Sequence, residues 1–200
     1  ELIGGVFVSL KNEQASFSER FYNCCLEAQI PCNEIDPEYF LENEDALTHN
    51  ISRVFEVPDA IINPWKLVNA LAKDIRQLGG RIFLNHRVSA INQSNNSITS
   101  VEVIDKNGIK KNLKCDGVVN ASGSWSNELA NLFKQDVNLE LTKGSIMVFS
   151  HRIVSQVINR CRMPTSNDIM CPSGTISLWG TTSKVVDDPN TTKVEAEEIQ

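Results

Sequence analysis

Residues 118–130 read V-V-N-A-S-G-S-W-S-N-E-L-A. Two β-branched residues lead into a turn of small side chains centred on Gly123, and a polar stretch typical of a helix start follows. The pattern predicts a strand over 117–121, a tight turn, and a helix near 124–134. Short strand–turn–helix units of this kind often bind phosphate groups.

The turn would give a ligand close access to the main chain. Ala121, Ser122 and Gly123 all have small side chains, and the amides at the start of the following helix would favour a phosphate. An ordinary strand-to-helix connection that needs a glycine for its angle is the alternative. The chain contains no G-x-G-x-x-G fingerprint, so these residues alone leave both interpretations open.

Helices and strands are expected to alternate in the middle of the chain. Asn63-Pro64 is typical of a helix start, and Gly79-Gly80 is typical of a helix end. Strands are predicted at 81–84 and 87–92, followed by a hairpin around 106–108. This alternation predicts a partly parallel sheet.

The two flanking parts contain more strands, and the whole chain is predicted to be α/β (α+β). Before the middle part we predict strands at 6–10 and 53–57, a helix starting at a Ser16–Glu19 capping box, and a short helix near 37–43. After it we predict antiparallel strands at 138–150, 168–171 and 175–180.

Composition argues against several classes of function. The net charge of −6 and the sequence pI near 5.1 argue against general nucleic-acid binding. No apolar run is long enough for a membrane-spanning helix. The six cysteines include no C-x-x-C pair, so we expect free thiols in a reducing cytosol and predict no metal site.

Both ends of the sequence look interrupted. The first ten residues already form an apolar, strand-like run. Near the other end, Thr192 and Glu195 predict a capping box that opens a helix only a few residues before the last residue. We therefore expect a central piece of a longer protein, truncated at both ends.

Six segments occur in an order that resembles a known enzyme family. They are N-P-W-K-L-V-N-A-L, H-R-V-S-A-I, G-V-V-N-A-S-G-S-W-S, K-G-S, H-R-I-V-S-Q-V-I-N-R-C-R-M-P and I-S-L-W-G-T-T-S. Together they resemble the FAD-dependent glycerol-3-phosphate dehydrogenases, above all the A subunits of the anaerobic enzymes, within the D-amino-acid-oxidase-like flavoproteins. The resemblance runs through essentially all 200 residues, and residues 151–164 and 176–183 are its most specific stretches.

The resemblance implies part of an FAD-binding Rossmann-like domain and a mostly antiparallel substrate-domain sheet. Residues 1–62 would supply substrate-domain strands and cap helices, 63–135 part of the FAD-binding domain, and 136–200 the antiparallel substrate-domain sheet. The family begins with a strand, a G-x-G-x-x-G turn and a helix, and this upstream unit is absent here, as is the family's C-terminal part. The fragment is therefore expected to retain FAD poorly and to be inactive by itself.

Candidate cofactor residues also follow from the resemblance. Val88 would contact the adenine end of FAD through its main chain. Ala121, Ser122 and Gly123 would line the pyrophosphate and ribose, with Trp125 packed beside them. The alternatives are a core valine, an ordinary turn and a core tryptophan.

Lys143, Thr181 and Thr182 are the candidate substrate residues, because the resemblance implies that their strands pass near the flavin ring. A lysine can bind a phosphate as a point charge, and threonine hydroxyls can add hydrogen bonds. A solvated turn lysine and a β-strand threonine pair are the alternatives. Related enzymes of the aerobic type carry a histidine after K/R-G-S, where this chain has Ile146, so the catalytic base stays unknown.

The implied reaction is oxidation of sn-glycerol 3-phosphate to dihydroxyacetone phosphate, with electrons passed through partner subunits to a quinone. The intact enzyme would be cytoplasmic and peripheral to the cytoplasmic membrane. Two other functions stay open. One is an FAD-dependent amine or amino-acid oxidase. The other is a non-catalytic subunit-association module that uses the basic cluster near 151–162, which contains His151, Arg152, Arg160 and Arg162.

Overall fold

A computed structural model describes residues 1–199 of the chain. The chain divides into two compact units. The first unit comprises residues 1–63, 142–184 and the segment from Thr192 onward, and the second comprises 64–141 and 185–191. The second unit is thus inserted, in sequence, within the first.

The first unit is built on a seven-stranded sheet. Its spatial order is β2 (Asn33–Ile35), β3 (Ile51–Val57), β1 (Gly5–Leu10), β9 (Val157–Arg160), β10 (Ile169–Ser173), β11 (Ile176–Gly180) and β8 (Ile146–Phe149). β1 and β9 run parallel, whereas every other neighbouring pair is antiparallel. The mostly antiparallel sheet agrees with the fold predicted from the sequence.

Within residues 1–199, the first unit contains three helical segments: α1 (Ala15–Glu27), α2 (Pro37–Leu41) and a 3-10 turn at Ala196–Glu198. α2 is the short helix predicted near 37–43. Asp36 caps it, because its side chain accepts hydrogen bonds from the main-chain N–H groups of Glu38 and Tyr39. The predicted Ser16–Glu19 capping box is wrong, because α1 begins at Ala15 and places Ser16 inside its first turn.

The core of the first unit follows the two-residue period of its strands. Val6, Val8 and Val54 belong to a cluster with Phe40 and Leu41 of α2, among other residues. The neighbouring positions Phe7 and Phe55 point to the other face of the sheet, because successive side chains of a strand alternate. The two faces of the sheet therefore carry separate hydrophobic clusters.

Three of the cysteines pack around Phe55 on this second face: Cys25, Cys32 and Cys161. Burial raises the pKa of the Cys32 thiol and of the Cys161 thiol to about 11. Both therefore stay protonated near neutral pH and act as small hydrophobic side chains.

The second unit contains one long helix and a three-stranded antiparallel sheet. Its elements are α3 (Pro64–Gln77), β4 (His86–Ser94), β5 (Ser97–Asp105), β6 (Lys110–Lys114), a 3-10 turn at Gly123–Trp125 and α4 (Ser126–Asn131). The sheet order is β4–β5–β6, which confirms the predicted hairpin. Elsewhere in the chain, β7 (Leu141–Lys143) and β12 (Lys184–Val186) form a two-stranded ladder.

α3 confirms the predicted helix but leaves its apolar side in contact with solvent. No residue of this helix is buried. Trp65 is 78% exposed and Leu78, just after the helix, is 88% exposed. α3 therefore carries an apolar stripe that nothing in residues 1–199 covers.

Two predicted strands are wrong. Residues 81–84 and 117–121 form no strand, and the expected partly parallel sheet in this part of the chain is an antiparallel meander instead. An apolar segment becomes a strand only where a neighbour completes its main-chain hydrogen bonds. Within residues 1–199, neither segment has such a neighbour.

Two predicted helices also differ from the structure. The helix near 124–134 is a 3-10 turn followed by the short α4, and Lys134 has the positive φ of 58° that is typical beyond a helix end. The capping box predicted for Thr192 and Glu195 is wrong, because the box in the structure pairs Glu195 with Glu198.

Two valines of the first unit test the assignment of the core. Val54 is fully buried in β3, whereas Val148 in the edge strand β8 is 60% exposed. Val54→Ala should lower the free energy of unfolding by about 2 kcal/mol, because it removes buried methyl groups and leaves a cavity. Val148→Ala is the matched control and should change it by less than about 0.5 kcal/mol. Urea denaturation measures both, and equal losses would contradict this core.

Candidate functional site

The turn at 120–126 in the second unit is held by its own hydrogen bonds. Asn120 Oδ1 accepts hydrogen bonds from Ser122 Oγ at 2.6 Å and from Ser122 N at 3.3 Å. Asn120 Nδ2 donates to the Ser126 carbonyl at 2.9 Å, and Ser126 Oγ donates to the Gly123 carbonyl at 2.7 Å. These bonds fix the main chain of the turn without help from another segment.

Gly123 is the residue that the backbone of this turn requires. Its φ is +56°, a left-handed conformation that L side chains rarely adopt. A Cβ atom added here would meet no atom within 4 Å, so the constraint is conformational rather than steric. Ala121 and Gly123 are both exposed.

The other two candidate cofactor residues also lie in the second unit. Trp125 is partly exposed, and its indole N–H donates to Asn190 Oδ1 at 3.3 Å. Val88 is half-buried in β4 and pairs with Val103 of β5. The structure therefore brings together residues 121–125 in one turn and places Val88 in the neighbouring sheet of the same unit.

A second group of polar side chains converges on one carboxylate in the first unit. Lys143 Nζ donates to Glu198 Oε2 at 2.6 Å, and the Lys143 and Glu198 side chains are only 9% and 5% exposed. Ser145 Oγ and Thr182 Oγ1 donate to Glu198 Oε1 at 2.7 and 2.8 Å. We call Lys143, Ser145, Thr182 and Glu198 the Glu198 cluster.

The Glu198 carboxylate is strongly stabilised in its ionised form. The hydrogen bond from Lys143, together with those from the Glu195 main-chain N–H, Ser145 and Thr182, lowers the pKa of Glu198 to about 2. Thr181 is exposed and takes no part in these bonds; its carbonyl accepts a hydrogen bond from the Asn167 N–H. Of the three candidate substrate residues, the cluster therefore includes Lys143 and Thr182.

The basic residues Arg160 and Arg162 are paired with acidic side chains. Arg160 Nη2 donates to Glu13 Oε1, and Arg162 Nε donates to Asp168 Oδ1 at 2.9 Å. Arg162 Nε also lies 3.7 Å from Glu13 Oε1. The charges of these two arginines are thus largely compensated within the first unit, whereas the Arg152 guanidinium donates to the Val154 and Ser155 carbonyls.

Sequence reasoning missed Glu198 as a site residue and did not select Ser145. Ser145 carried a signal, because it belongs to the K-G-S segment whose lysine was selected. Glu198 carried none, because it lies in an acidic stretch typical of a helix start, far along the chain from Lys143.

A family model described as FAD dependent oxidoreductase matches residues 2–200 of the chain. The chain belongs to this family. The fold agrees with the one that the resemblance implied, and the family is described as dependent on FAD.

Three proteins illustrate what this chain is similar to. It is 33% identical over its whole length to the A subunit of the anaerobic glycerol-3-phosphate dehydrogenase of Escherichia coli K12, and it spans 37% of that protein. It matches glycine oxidase from Bacillus cereus with a TM-score of 0.81 at 21% identity, covering 100% of this chain and 53% of that one. It matches the FAD-bound L-α-glycerophosphate oxidase of Mycoplasma pneumoniae, also with a TM-score of 0.81, at 17% identity over 99% of this chain and 54% of that one.

Neither a membrane-spanning helix nor a metal-binding cluster occurs in the described part of the chain. Within residues 1–199, no helix is both long and apolar enough to cross a membrane. The same residues contain no group of three or more His, Cys, Asp or Glu side chains arranged to hold a metal ion.

Gly123 and Gly117 form a matched pair for testing the turn. Neither glycine would place a Cβ atom within 4 Å of another atom, but only Gly123 has a left-handed φ. Gly123→Ala should lower the free energy of unfolding by about 1–2 kcal/mol, because alanine is disfavoured in the left-handed conformation. Gly117→Ala should change it by less than about 0.5 kcal/mol. Chemical denaturation of both variants measures the difference, and equal effects would contradict the turn conformation.

The Glu198 cluster predicts a specific pH dependence of stability. The folded pKa of Glu198, about 2, lies below the ordinary value of 4.5, so its contribution is present above pH 4.5 and is lost as the pH falls toward 2. Between these pH values, the wild-type melting temperature should fall more than that of Glu198→Gln. Glu197→Gln, at an exposed neighbouring position, should follow the wild type. Parallel curves for Glu198→Gln and the wild type would contradict the assigned pKa.

Proposed function

We propose that the protein containing this chain oxidises sn-glycerol 3-phosphate to dihydroxyacetone phosphate with FAD as its cofactor. The observation that carries the proposal is the 33% identity, over the whole chain, to the A subunit of an anaerobic glycerol-3-phosphate dehydrogenase. The chain spans only 37% of that relative, so the activity would belong to the longer protein.

In this proposal, Val88, Ala121, Ser122, Gly123 and Trp125 contact FAD, which supplies the hydride acceptor when bound. The exposure of Ala121 and Gly123 supports the assignment, because residues this small let a ligand come close to the main chain. α4 has only six residues, so the turn itself, rather than a long helix dipole, would provide most of the contact.

Lys143, Thr181 and Thr182 are proposed to bind the substrate phosphate and to orient the C2 hydroxyl. Two features support this role for Lys143 and Thr182. Both donate to the same carboxylate, so they converge on one point, and the ammonium–hydroxyl combination suits a phosphate oxygen equally well. Thr181 is exposed beside them and would add a donor at the rim. No residue is proposed as the base that takes the hydroxyl proton.

The proposal also includes transfer of electrons to a quinone through partner subunits, at the cytoplasmic side of the membrane. It rests on the resemblance, and the name of the Escherichia coli relative, which designates it as one of several subunits, is consistent with it. The isolated 200-residue chain is proposed to be inactive and to retain FAD poorly.

The two other functions have less support. The likeness to glycine oxidase is at 21% identity and concerns the fold, which amine oxidases and glycerophosphate-oxidising enzymes share. An association module built on the basic cluster near 151–162 would need available positive charge, whereas Glu13 and Asp168 compensate two of its members, Arg160 and Arg162.

A flavin titration tests the cofactor proposal. This chain should be compared with a longer version that includes the strand, G-x-G-x-x-G turn and helix expected upstream. The longer version should bind FAD and show flavin absorbance, because the upstream unit would complete the FAD site. This chain should bind FAD weakly. Within the longer version, Gly123→Val should weaken FAD binding strongly, whereas the control Gly117→Val should not.

The same preparation tests the substrate. Under anaerobic conditions, glycerol 3-phosphate should bleach the bound flavin and glycine should not. If glycine bleaches the flavin and glycerol 3-phosphate does not, the proposed function is wrong and the protein is an amine oxidase. Absence of FAD binding by the longer version would remove the proposed cofactor site.

A further inference from the structure

The strongest unassigned feature of the molecule is the arrangement of donors around Glu198. Four donors converge on this single carboxylate: Lys143 Nζ, Ser145 Oγ, Thr182 Oγ1 and the Glu195 main-chain N–H, the last at 2.9 Å from Oε2. Three of them are side chains that come from segments other than that of Glu198. The carboxylate therefore lies in a donor site whose side chains come from other segments of the unit.

Hydrogen bonds that do not involve Glu198 hold this donor site together. The Ser145 N–H donates to Thr182 Oγ1 at 2.8 Å, and the Thr182 N–H donates to the Ser145 carbonyl at 3.1 Å. Gly144 allows this close approach, because a Cβ atom there would lie 2.9 Å from the Thr182 carbonyl oxygen. The K-G-S and T-T segments are thus held together in a fixed geometry.

Polar contacts attach the segment that carries Glu198. Ala196 and Glu197 of its 3-10 turn are exposed, as are the flanking Val194 and Ile199, whereas the Glu198 side chain is covered. Its ties to the unit include the three side-chain hydrogen bonds to Glu198, the Lys184–Glu195 pair and a hydrogen bond from Lys143 Nζ to the Lys193 carbonyl. Salt weakens the more exposed Lys184–Glu195 pair, but it screens the nearly buried Lys143–Glu198 pair much less. Displacing Glu198 therefore requires an anion that binds the same donors, rather than salt alone.

We propose that Lys143, Ser145 and Thr182 form an oxyanion-binding site for a phosphate group, and that Glu198 is its internal, displaceable occupant. An ammonium group and two hydroxyls fixed around one point are a donor set for phosphate oxygens as much as for a carboxylate. Binding of an external phosphate then requires Glu198 to leave, so Glu198 acts as a built-in competitor. This inference rests on the proposed function only where it identifies the phosphate as that of glycerol 3-phosphate.

The test uses this chain, inorganic phosphate and no flavin. Glu198→Ala removes the internal occupant and leaves Lys143 without its partner, so its melting temperature should fall. Added phosphate should restore that temperature more than sodium chloride at the same ionic strength. Glu197→Ala, whose side chain is 85% exposed, is the matched control and should show no specific response. The double variant Lys143→Met/Glu198→Ala should lose the response to phosphate.

Glu198→Gln provides a second test in case the Glu198→Ala variant does not fold. Glu198→Gln keeps the shape of the side chain and loses its charge, and calorimetry should show phosphate binding about tenfold tighter than to the wild type. If phosphate stabilises or binds the Glu198 variants no better than chloride does, the proposed site is wrong. If the Glu198 variants bind phosphate as expected but the longer protein does not oxidise glycerol 3-phosphate, the phosphate site is retained and only the proposed substrate is wrong.

Discussion

The parallel ladder between β1 and β9 is the constraint on which the first unit depends. Gly5 to Val8 pair in register with Val157 to Arg160, although the whole segment 64–141 lies between them in sequence. The ladder joins the β2–β3–β1 part of the sheet to the β9–β10–β11–β8 part, so both hydrophobic clusters depend on it. Such a non-local pairing costs chain entropy before any packing compensates, which makes it the slowest type of contact to form.

The same constraint explains how much of the fold the sequence predicts. β1, β3, α2, α3 and the β5–β6 hairpin each carry a local signal, such as alternation, a cap or a turn glycine. The β1–β9 pairing has no local signal, because nothing in either strand specifies its distant partner. The strand predicted at 81–84 is wrong for a related reason: the apolar character of these residues is local, but strand formation depends on a neighbour.

The candidate site shows the same division between local and distant information. The selection of the turn at Gly123, and of Lys143 and Thr182 as candidate residues, follows from short segments that the family resemblance identifies. The Glu198 carboxylate at their centre does not, because an acidic residue near a predicted helix start is usually solvated. Its role depends on three-dimensional convergence of three segments. The paired state of Arg160 and Arg162 was hidden for the same reason, since Glu13 lies at the opposite end of the sequence.

The exposed apolar stripe of α3 has a consequence for how the chain behaves in solution. Trp65, Val68, Leu71 and Leu78 lie along this stripe or at its end, and all face water. A contiguous apolar surface of this kind lowers solubility, because two copies can hide it by associating. The isolated chain is therefore expected to aggregate faster at higher concentration and temperature, however well its core is packed.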